Sequence, residues 1–434
     1  RCQSVTGVQT CALPISGAEA AYRRAIELRP AAAESYNGLG HVHLAWGRLE
    51  QALECYRRAQ TIDPEQCETL NNLGNALRRL GRYEEAETHY RRALTLRPGH
   101  AGARYNLALL QLLGGDFTAG FAGYEERFHL GEEDPVFRSP ADRGIARWRG
   151  ETLPEGRLLV VAEQGLGDAI QFVRYLPAAR ARVGRLVFAC GPALHRLFAD
   201  LPGVDTLTER YPAAWGGMAV DRYVPLLSLP PIVSLPPAGL PVPPYLRADR
   251  DAQVRWRERL APASLRVGLV WAGGEANPND RFRSCRLDDF APLGALPGVR
   301  WFSLQRGPAA GQAKTPPAGL ELFDAAGELA DLADTAALVA ALDLVISVDT
   351  AVAHLAGALN RPVWTLLPFD PDWRWGLSRT DSPWYPSMRL FRQPRPGDWR
   401  TVIASVAREL TALLTKEDSP QVLSVCSEIR GDRF

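Results

Sequence analysis

The alternation of apolar and polar positions changes character once along the chain. Up to about residue 130, small and apolar residues return in a fixed frame: Leu39-Gly40 and Leu73-Gly74, Gly47 and Gly81, Ala52 and Ala86, Tyr56 and Tyr90, Ala59 and Ala93. Beyond about residue 150 the pattern becomes short apolar runs rich in branched residues, separated by turn residues and amphipathic stretches. The first pattern predicts paired antiparallel helices, the second strand–helix units. One stretch of the second kind organises the rest: Leu342 to Leu359, LDLVISVDTAVAHLAGAL. Leu342 to Val348 predicts a strand buried on both faces. Asp349-Thr350 breaks the run, and Ala351 to Leu359 predicts a small-residue helix with Thr350 as its N-cap. A strand leading straight into a helix N-terminus puts free backbone N–H groups at the carboxyl edge of a sheet, where open α/β folds hold phosphates. An ordinary capped βα turn reads the same way.

In the first region prolines recur at 30, 64 and 98, 34 residues apart each time. The small residues let two helices approach closely, Gly47 and Gly81 relax the turn between them, and the proline ends the second helix. Period and pattern together resemble tetratricopeptide repeats. A third unit, Arg104 to Leu130, keeps Leu107, Gly115 and Tyr124 but has Gly120 and Arg127 at two of the alanine positions. It reads as the terminal unit, docking on a later part of the chain. The partial unit Ala18 to Pro30 implies further repeats upstream. Such a solenoid presents a concave surface to peptides or proteins; a spacer or oligomerisation arm is the plainer alternative. The block holds no catalytic constellation.

In the second region Leu158 to Glu163 predicts the first strand, followed by Gln164-Gly165-Leu166-Gly167-Asp168 and an amphipathic helix to about Arg182. Further strands are expected near Arg185 to Cys190 and Asp205 to Leu207, with a helix near Ala193 to Leu201. Pro225 to Pro244 is proline-dense and breaks regular structure. A helix around Arg250 to Leu260 leads to strands at Val267 to Trp271, Trp301 to Leu304, Leu342 to Val348 and Val363 to Leu367. A last helix, Trp399 to Leu414, is placed to pack back across two α/β halves.

The partition expected is a repeat block over 17–131, a charged connector over 132–150, a first α/β half over 151–262, a second over 263–396 and a closing helix over 397–415. Residues 1–16 are set aside, because Val5 to Ile15 resembles the translation of a sequencing adapter, and the tail 416–434 has no clear periodicity. The chain does not begin with Met and reads as a fragment.

Length and composition narrow the classes. At 434 residues two or three domains are expected. Charged residues are 23% and hydrophobic ones 46%, with a net charge of +1, which points to no nucleic-acid or polybasic membrane partner. No apolar run is long enough to span a bilayer. The seven cysteines are scattered, without C-x-x-C or a Cys/His cluster, so neither zinc nor a disulfide framework is expected and a reducing, cytoplasmic compartment fits.

Candidate chemistry gathers at two loops. Gly165 and Gly167 allow a tight strand-to-helix turn and close ligand approach. The third glycine of a dinucleotide fingerprint is absent, its place taken by Ile170, which argues against an oxidoreductase. Asp168 stands at the helix start, where a carboxylate is also welcome simply as a cap. His354, on the small-residue helix, is either a ligand-facing group or a satisfied core histidine. Asp370-Pro371-Asp372 is an acidic pair that reads as a structured turn rather than a metal site. Tryptophans 373, 375, 384 and 399 read as walls of a core under the last helix.

Taken together, Gly167-Asp168 after one half's first strand and Asp349-Thr350…His354 after a late strand of the other resemble the heptosyltransferase-like glycosyltransferases (glycosyltransferase family 9). AEQGLGDAIQFVRYLP, VGLVWAGG, DLVISVDTAVAHLAGAL and DSPWYPSMRLFRQPRPGDW carry the likeness, over roughly residues 150–415. Joined to the repeats, the chain resembles the bacterial repeat-glycosyltransferases, with a layout similar to the protein O-GlcNAc transferases.

The resemblance implies a GT-B fold, two Rossmann-like domains facing each other across a cleft. It implies Asp168 as general base, Asp349, Thr350 and His354 at the donor's nucleotide and diphosphate, and Arg283 as a basic residue for the diphosphate. Ala351 stands where those enzymes usually have glycine, and Cys285-Arg286 replaces their apolar-proline pair. The activity implied is transfer of a sugar from a nucleotide-sugar substrate to a protein or glycan acceptor, without cofactor or metal and with inversion. An interaction scaffold with a catalytically inactive nucleotide-sugar-binding half is the alternative.

Overall fold

A computed structural model of the chain describes residues 15–131, 144–210, 217–260, 263, 265–274, 277 and 279–416. The readings made for residues 1–14, for most of the 132–150 connector and for the tail after Lys416 lie outside them. The described residues form two units. One holds the N-terminal helices together with Asp372–Leu377, the other two β-sheets and their helices.

The helical unit runs α1 (Ile15–Leu28), α2 (Ala33–Ala45), α3 (Leu49–Ile62), α4 (Cys67–Arg79), α5 (Tyr83–Leu96), α6 (Ala101–Gly114) and α7 (Phe117–Tyr124). α2–α3, α4–α5 and α6–α7 are the paired helices of successive repeats. Gly47 and Gly81, each at φ 74, make the left-handed turns inside two of the pairs. Pro64 and Pro98 follow the ends of α3 and α5 by one residue beyond the cap.

The small residues act as the frame requires. A Cβ on Gly40 would stand 2.5 Å from the Tyr56 ring, and one on Gly74 would run into Tyr90. Ala52, Ala59, Ala86 and Ala93 are fully buried. Gly120, which replaces an alanine of the frame, faces Leu112, whose Cγ would lie 2.5 Å from an added Cβ. Neighbouring repeats are tied by Asn72 donating to Asn37 at 3.0 Å and Asn106 donating to Asn71 at 2.9 Å.

The terminal repeat does dock on a later segment. Trp373 packs edge-on against Phe121 and Tyr124, with ring centroids 5.6 and 6.3 Å apart. The Arg374 guanidinium lies 4.3 Å from the centre of the Trp373 ring.

In the α/β unit the first sheet contains β1 (Ala146–Arg147), β2 (Leu153–Val161), β3 (Val183–Cys190), β4 (Thr206–Glu209) and β5 (Arg222–Pro225). Its order is β1-β5-β2-β3-β4, all pairs parallel. Two short helices come after β2: α8 (Leu166–Phe172) and α9 (Leu176–Arg180). They stand where one helix to Arg182 was expected. A short 3₁₀ segment at Val173–Tyr175 separates them, and Pro177 opens the second. The helix expected over Ala193–Leu201 is a 3₁₀ turn, Pro192–Leu194, followed by turns. The proline-dense stretch holds only α10 (Leu229–Val233) and 3₁₀ turns. α11 (Arg250–Arg259) then leads into the second sheet.

That sheet is built from β6 (Leu265–Val270), β7 (Val299–Ser303), β8 (Leu322–Asp324), β9 (Leu344–Val348), β10 (Val363–Leu367) and β11 (Met388–Arg392). The order is β11-β10-β9-β6-β7-β8, again parallel throughout. The helices of this half are α12 (Asp280–Arg283), α13 (Leu332–Ala341), α14 (Ala351–Ala358) and α15 (Trp399–Lys416). β9 and β10 are buried along their whole length, as unbroken apolar strands between helical layers must be.

Two parallel sheets with crossover helices make two Rossmann-like lobes. The chain is thus a tetratricopeptide-repeat solenoid followed by an α/β pair of GT-B type. α15 buries Trp399, Val402, Ile403, Val406 and Leu410 in the second lobe's core, with Trp301, Trp364 and Phe290. Of the four tryptophans expected under this helix, only Trp399 is in that cluster. Trp373 is held by the terminal repeat, and Trp384 packs near Phe172, 6.2 Å between ring centroids.

Candidate active site

The loop after β2 is tightly pinned. Glu163 is buried, and its carboxylate accepts the Leu227 N–H at 3.0 Å, tying the end of β2 to the segment after β5. Gln164 comes next at φ 57, in the left-handed region where a non-glycine residue is strained, and such residues gather at functional sites. The Asp168 side chain then turns back, and its Oδ2 accepts the Gly165 N–H at 2.8 Å. Asp168 therefore does cap the start of α8, while remaining only half-buried.

The loop after β9 is the second component. Thr350 has the extended backbone of an N-cap residue and its carbonyl accepts the Ala353 N–H at 3.1 Å. Its side chain, however, makes no capping bond. The Ser347 hydroxyl donates to the Val348 carbonyl at 2.6 Å, so the 2.9 Å contact between Ser347 and Thr350 uses the threonine's proton. The Thr350 hydroxyl is thus drawn back onto the strand. The first N–H groups of α14, which have no intrahelical acceptor, are not covered by it.

Asp349 and His354 are buried beside them, Asp349 Oδ1 lying 4.0 Å from His354 Nε2. The other ring nitrogen, Nδ1, is 2.9 Å from the hydroxyl of the fully buried Tyr385. A Cβ on Gly357 would stand 2.5 Å from Cγ of Tyr385, so α14 must be bare at that position to admit the tyrosine.

The two loops meet. A Cβ on Gly167 would lie 2.8 Å from His354 Cδ2, 3.4 Å from Nε2 and 3.6 Å from the Cα of Ala351. α8 and α14 pack on one another, which brings Gly165, Gly167 and Asp168 of the first lobe to the Asp349–His354 corner of the second.

Arg283 lies elsewhere on the same sheet edge. Its Nη2 would be 2.6 Å from a Cβ on Gly273, just past the end of β6, and β6 pairs with β9. The guanidinium is 3.2 Å from Asp280 Oδ1, so it is half-neutralised by its own helix. The loop after β6 is fixed by buried Gln305, which accepts from the N–H groups of Trp271 and Ala272 at 3.0 and 2.8 Å.

Asp372 serves a structural turn: it accepts the Arg374 N–H at 3.0 Å and pairs with the Arg374 guanidinium at 2.8 Å. The described cysteines, 55, 67, 190 and 285, form no disulfide. Burial raises the Cys55 thiol to about 11 and Cys190 to about 12, far from a reactive thiolate.

Gln305 has no signal in the sequence, and Tyr385 lies in a stretch that carries the family likeness without being singled out there. Each acts through a partner distant in the chain, Tyr385 on His354 and Gln305 on the Trp271–Ala272 backbone.

Comparison with known proteins places these features. The tetratricopeptide repeat profile matches residues 33–66 and 67–100, and the glycosyltransferase family 9 (heptosyltransferase) profile matches residues 309–396. Protein FlbA of Caulobacter vibrioides is 30% identical over 340 residues, which is 70% of this chain and 54% of FlbA. The chain thus spans about half the length of that relative. Among solved structures, the E. coli ADP-heptose LPS heptosyltransferase II is 17% identical with a TM-score of 0.45, covering 61% of this chain and 100% of that one. A family 9 glycosyltransferase from Veillonella parvula is 14% identical with a TM-score of 0.41, covering 57% and 88%.

Proposed function

We propose that this chain, which joins tetratricopeptide repeats to a glycosyltransferase family 9 domain, is a glycosyltransferase that moves a sugar from a nucleoside-diphosphate donor to an acceptor hydroxyl. The observation that carries the reading is the meeting of Gly167 with His354 and Ala351 between the two lobes. It brings a carboxylate and a helix N-terminus to one corner, as the transfer requires.

The donor's diphosphate would lie at the start of α14, where the first N–H groups and the helix dipole favour negative charge. His354, Thr350 and the Asp349 turn shape that end, with Arg283 at the neighbouring strand end. The acceptor oxygen attacks the anomeric carbon as Asp168 takes its proton. The bond from that carbon to the diphosphate breaks, and the nucleoside diphosphate leaves with the electron pair. Attack opposite the leaving group inverts the anomeric centre. Fixed amide dipoles and a cation stabilise the departing charge, so the reaction is proposed to need no metal.

The repeats would hold the acceptor, a protein or a glycan. A reducing, cytoplasmic setting is part of the proposal, and the scattered cysteines, without C-x-x-C or a Cys/His cluster, suit it. Among the described residues no helix is long and apolar enough to cross a membrane.

One observation favours a second reading. Asp168 Oδ2 is engaged in the Gly165 cap, which suits a domain that binds a nucleotide sugar and does not turn it over. Incubating the full chain with a panel of nucleoside-diphosphate sugars, in chelator, separates the two. Release of nucleoside diphosphate from one donor supports the enzyme. A thermal shift without release supports the scaffold, and neither signal contradicts both.

A further inference from the structure

Two of the stretches that carry the family likeness are joined by one side chain. Arg174, in the 3₁₀ segment between α8 and α9, is buried, and its guanidinium reaches the second lobe. Nη1 donates to the Trp384 carbonyl at 2.9 Å, while Nε and Nη2 donate to the Pro241 carbonyl at 3.1 and 2.5 Å. Pro241 belongs to the linker between the lobes. That linker is fastened to the end of α14, where the Tyr245 N–H donates to the Ala358 carbonyl at 3.1 Å. The Phe172 ring, at the end of α8, lies 6.2 Å from that of Trp384, centroid to centroid.

What Arg174 holds is the footing of Tyr385. Trp384 and Tyr385 lie just before β11, outside any helix or strand. Single bonds fix the backbone there: the Trp384 N–H donates to the Ser382 hydroxyl at 3.1 Å, the Met388 N–H to the Tyr385 carbonyl at 3.0 Å, and Arg174 to the Trp384 carbonyl. The last of these comes from the opposite lobe. The Tyr385 hydroxyl in turn lies 2.9 Å from His354 Nδ1. A guanidinium is costly to bury, and an apolar side chain could fill the same space. Its planar fork, however, addresses two carbonyls at once in fixed directions, which neither an apolar residue nor the point charge of a lysine can do.

We infer that Arg174 is a positioning residue: from the lobe that carries Asp168 it sets where Tyr385 stands, and through Tyr385 the orientation of the His354 ring at the corner of the two loops. Side chains of a site keep their geometry only when the shell behind them is locked. Here the lock spans the lobes, so the seat of His354 in the second depends on a side chain of the first. The consequence for turnover rests on the function proposed above; the seating of His354 does not.

The test is NMR of the full chain without ligand, its histidine rings labelled with ¹³C, with His354→Gln and His195→Gln to assign those two signals. His195 stands in the first lobe, its Nε2 3.3 Å from the Cys190 carbonyl, and serves as the control. Arg174→Met removes all three bonds, and Arg174→Lys keeps the charge but not the fork. In both, the His354 signal is expected to shift by more than its wild-type linewidth while the His195 signal stays in place. Arg174→Lys keeps the test decisive if the apolar variant does not fold. A role in stability alone would lower the melting temperature and leave the folded-state signal where it is. An unmoved His354 signal in either folded variant overturns the inference, as does a shift shared equally by His195, which would mark general loosening. Because the spectra need no donor, absence of transfer activity would count against the proposed function and not against this assignment.

Discussion

Gly167 lies against His354, close enough that a Cβ on the glycine would stand 2.8 Å from His354 Cδ2. The ring cannot easily retreat, because Nδ1 is held by Tyr385 and the histidine is buried. Gly167→Ala should therefore push α8 away from α14, with an overpacking cost of about 1–3 kcal/mol. Gly165→Ala is the control: its added Cβ would meet only Asp168 Oδ2, at 3.1 Å, and its φ of −96 suits any residue. Denaturant unfolding and donor affinity, measured on both, should show a loss for Gly167→Ala several times that for Gly165→Ala.

Gly357→Ala tests the opposite side of the same histidine. Alanine is the better helix former by up to ~1 kcal/mol. The new methyl would nevertheless stand 2.5 Å from Cγ of Tyr385, at the root of a fully buried ring that has no flexible end to give way. The clash should outweigh the propensity, giving a net loss of about 1–2 kcal/mol in chemical denaturation.

The helical unit should be acid-sensitive. Burial lowers the pKa of His43, His89 and His100 below the ordinary 6.5. A histidine with a lowered folded pKa binds its proton more readily when unfolded. Its contribution is complete above 6.5 and is lost as the pH falls through that value toward the folded one. His100 also caps α6 through Nδ1, which accepts the Ala103 N–H at 3.2 Å and cannot do so once protonated. Hydrogen-exchange protection factors in α4–α6, which correct for the intrinsic slowing of exchange in acid, should fall as the pH drops below about 6.5. His100→Asn, which can still cap, should blunt the change.

Much of this architecture can be read from the sequence because local chemistry dictates it. Pro64 and Pro98 must end helices, Gly47 and Gly81 occupy left-handed turns, and Leu344 to Val348 has no polar residue but Ser347 to suggest a solvent face. Strands that lean on their neighbours are silent. β1 has two residues, and β5, Arg222–Pro225, begins with a charge and ends in a proline. Both are held by pairing to strands far along the chain. The site divides the same way. Gly167, Asp168, Thr350 and His354 stand out through the two loop motifs that carry the family resemblance, but the capping role of Thr350 does not survive its bond to Ser347. Tyr385 matters only through a partner that the fold supplies, the His354 ring.

The most direct test of the catalytic claim is turnover by Asp168→Asn, with donor affinity and melting temperature measured beside it. The amide oxygen can still accept the Gly165 N–H, so the cap survives while the base is lost. The expected result is a fall in kcat of about 10²–10⁴-fold, with donor affinity and melting temperature close to wild type. Wild-type kcat in this variant would contradict the account.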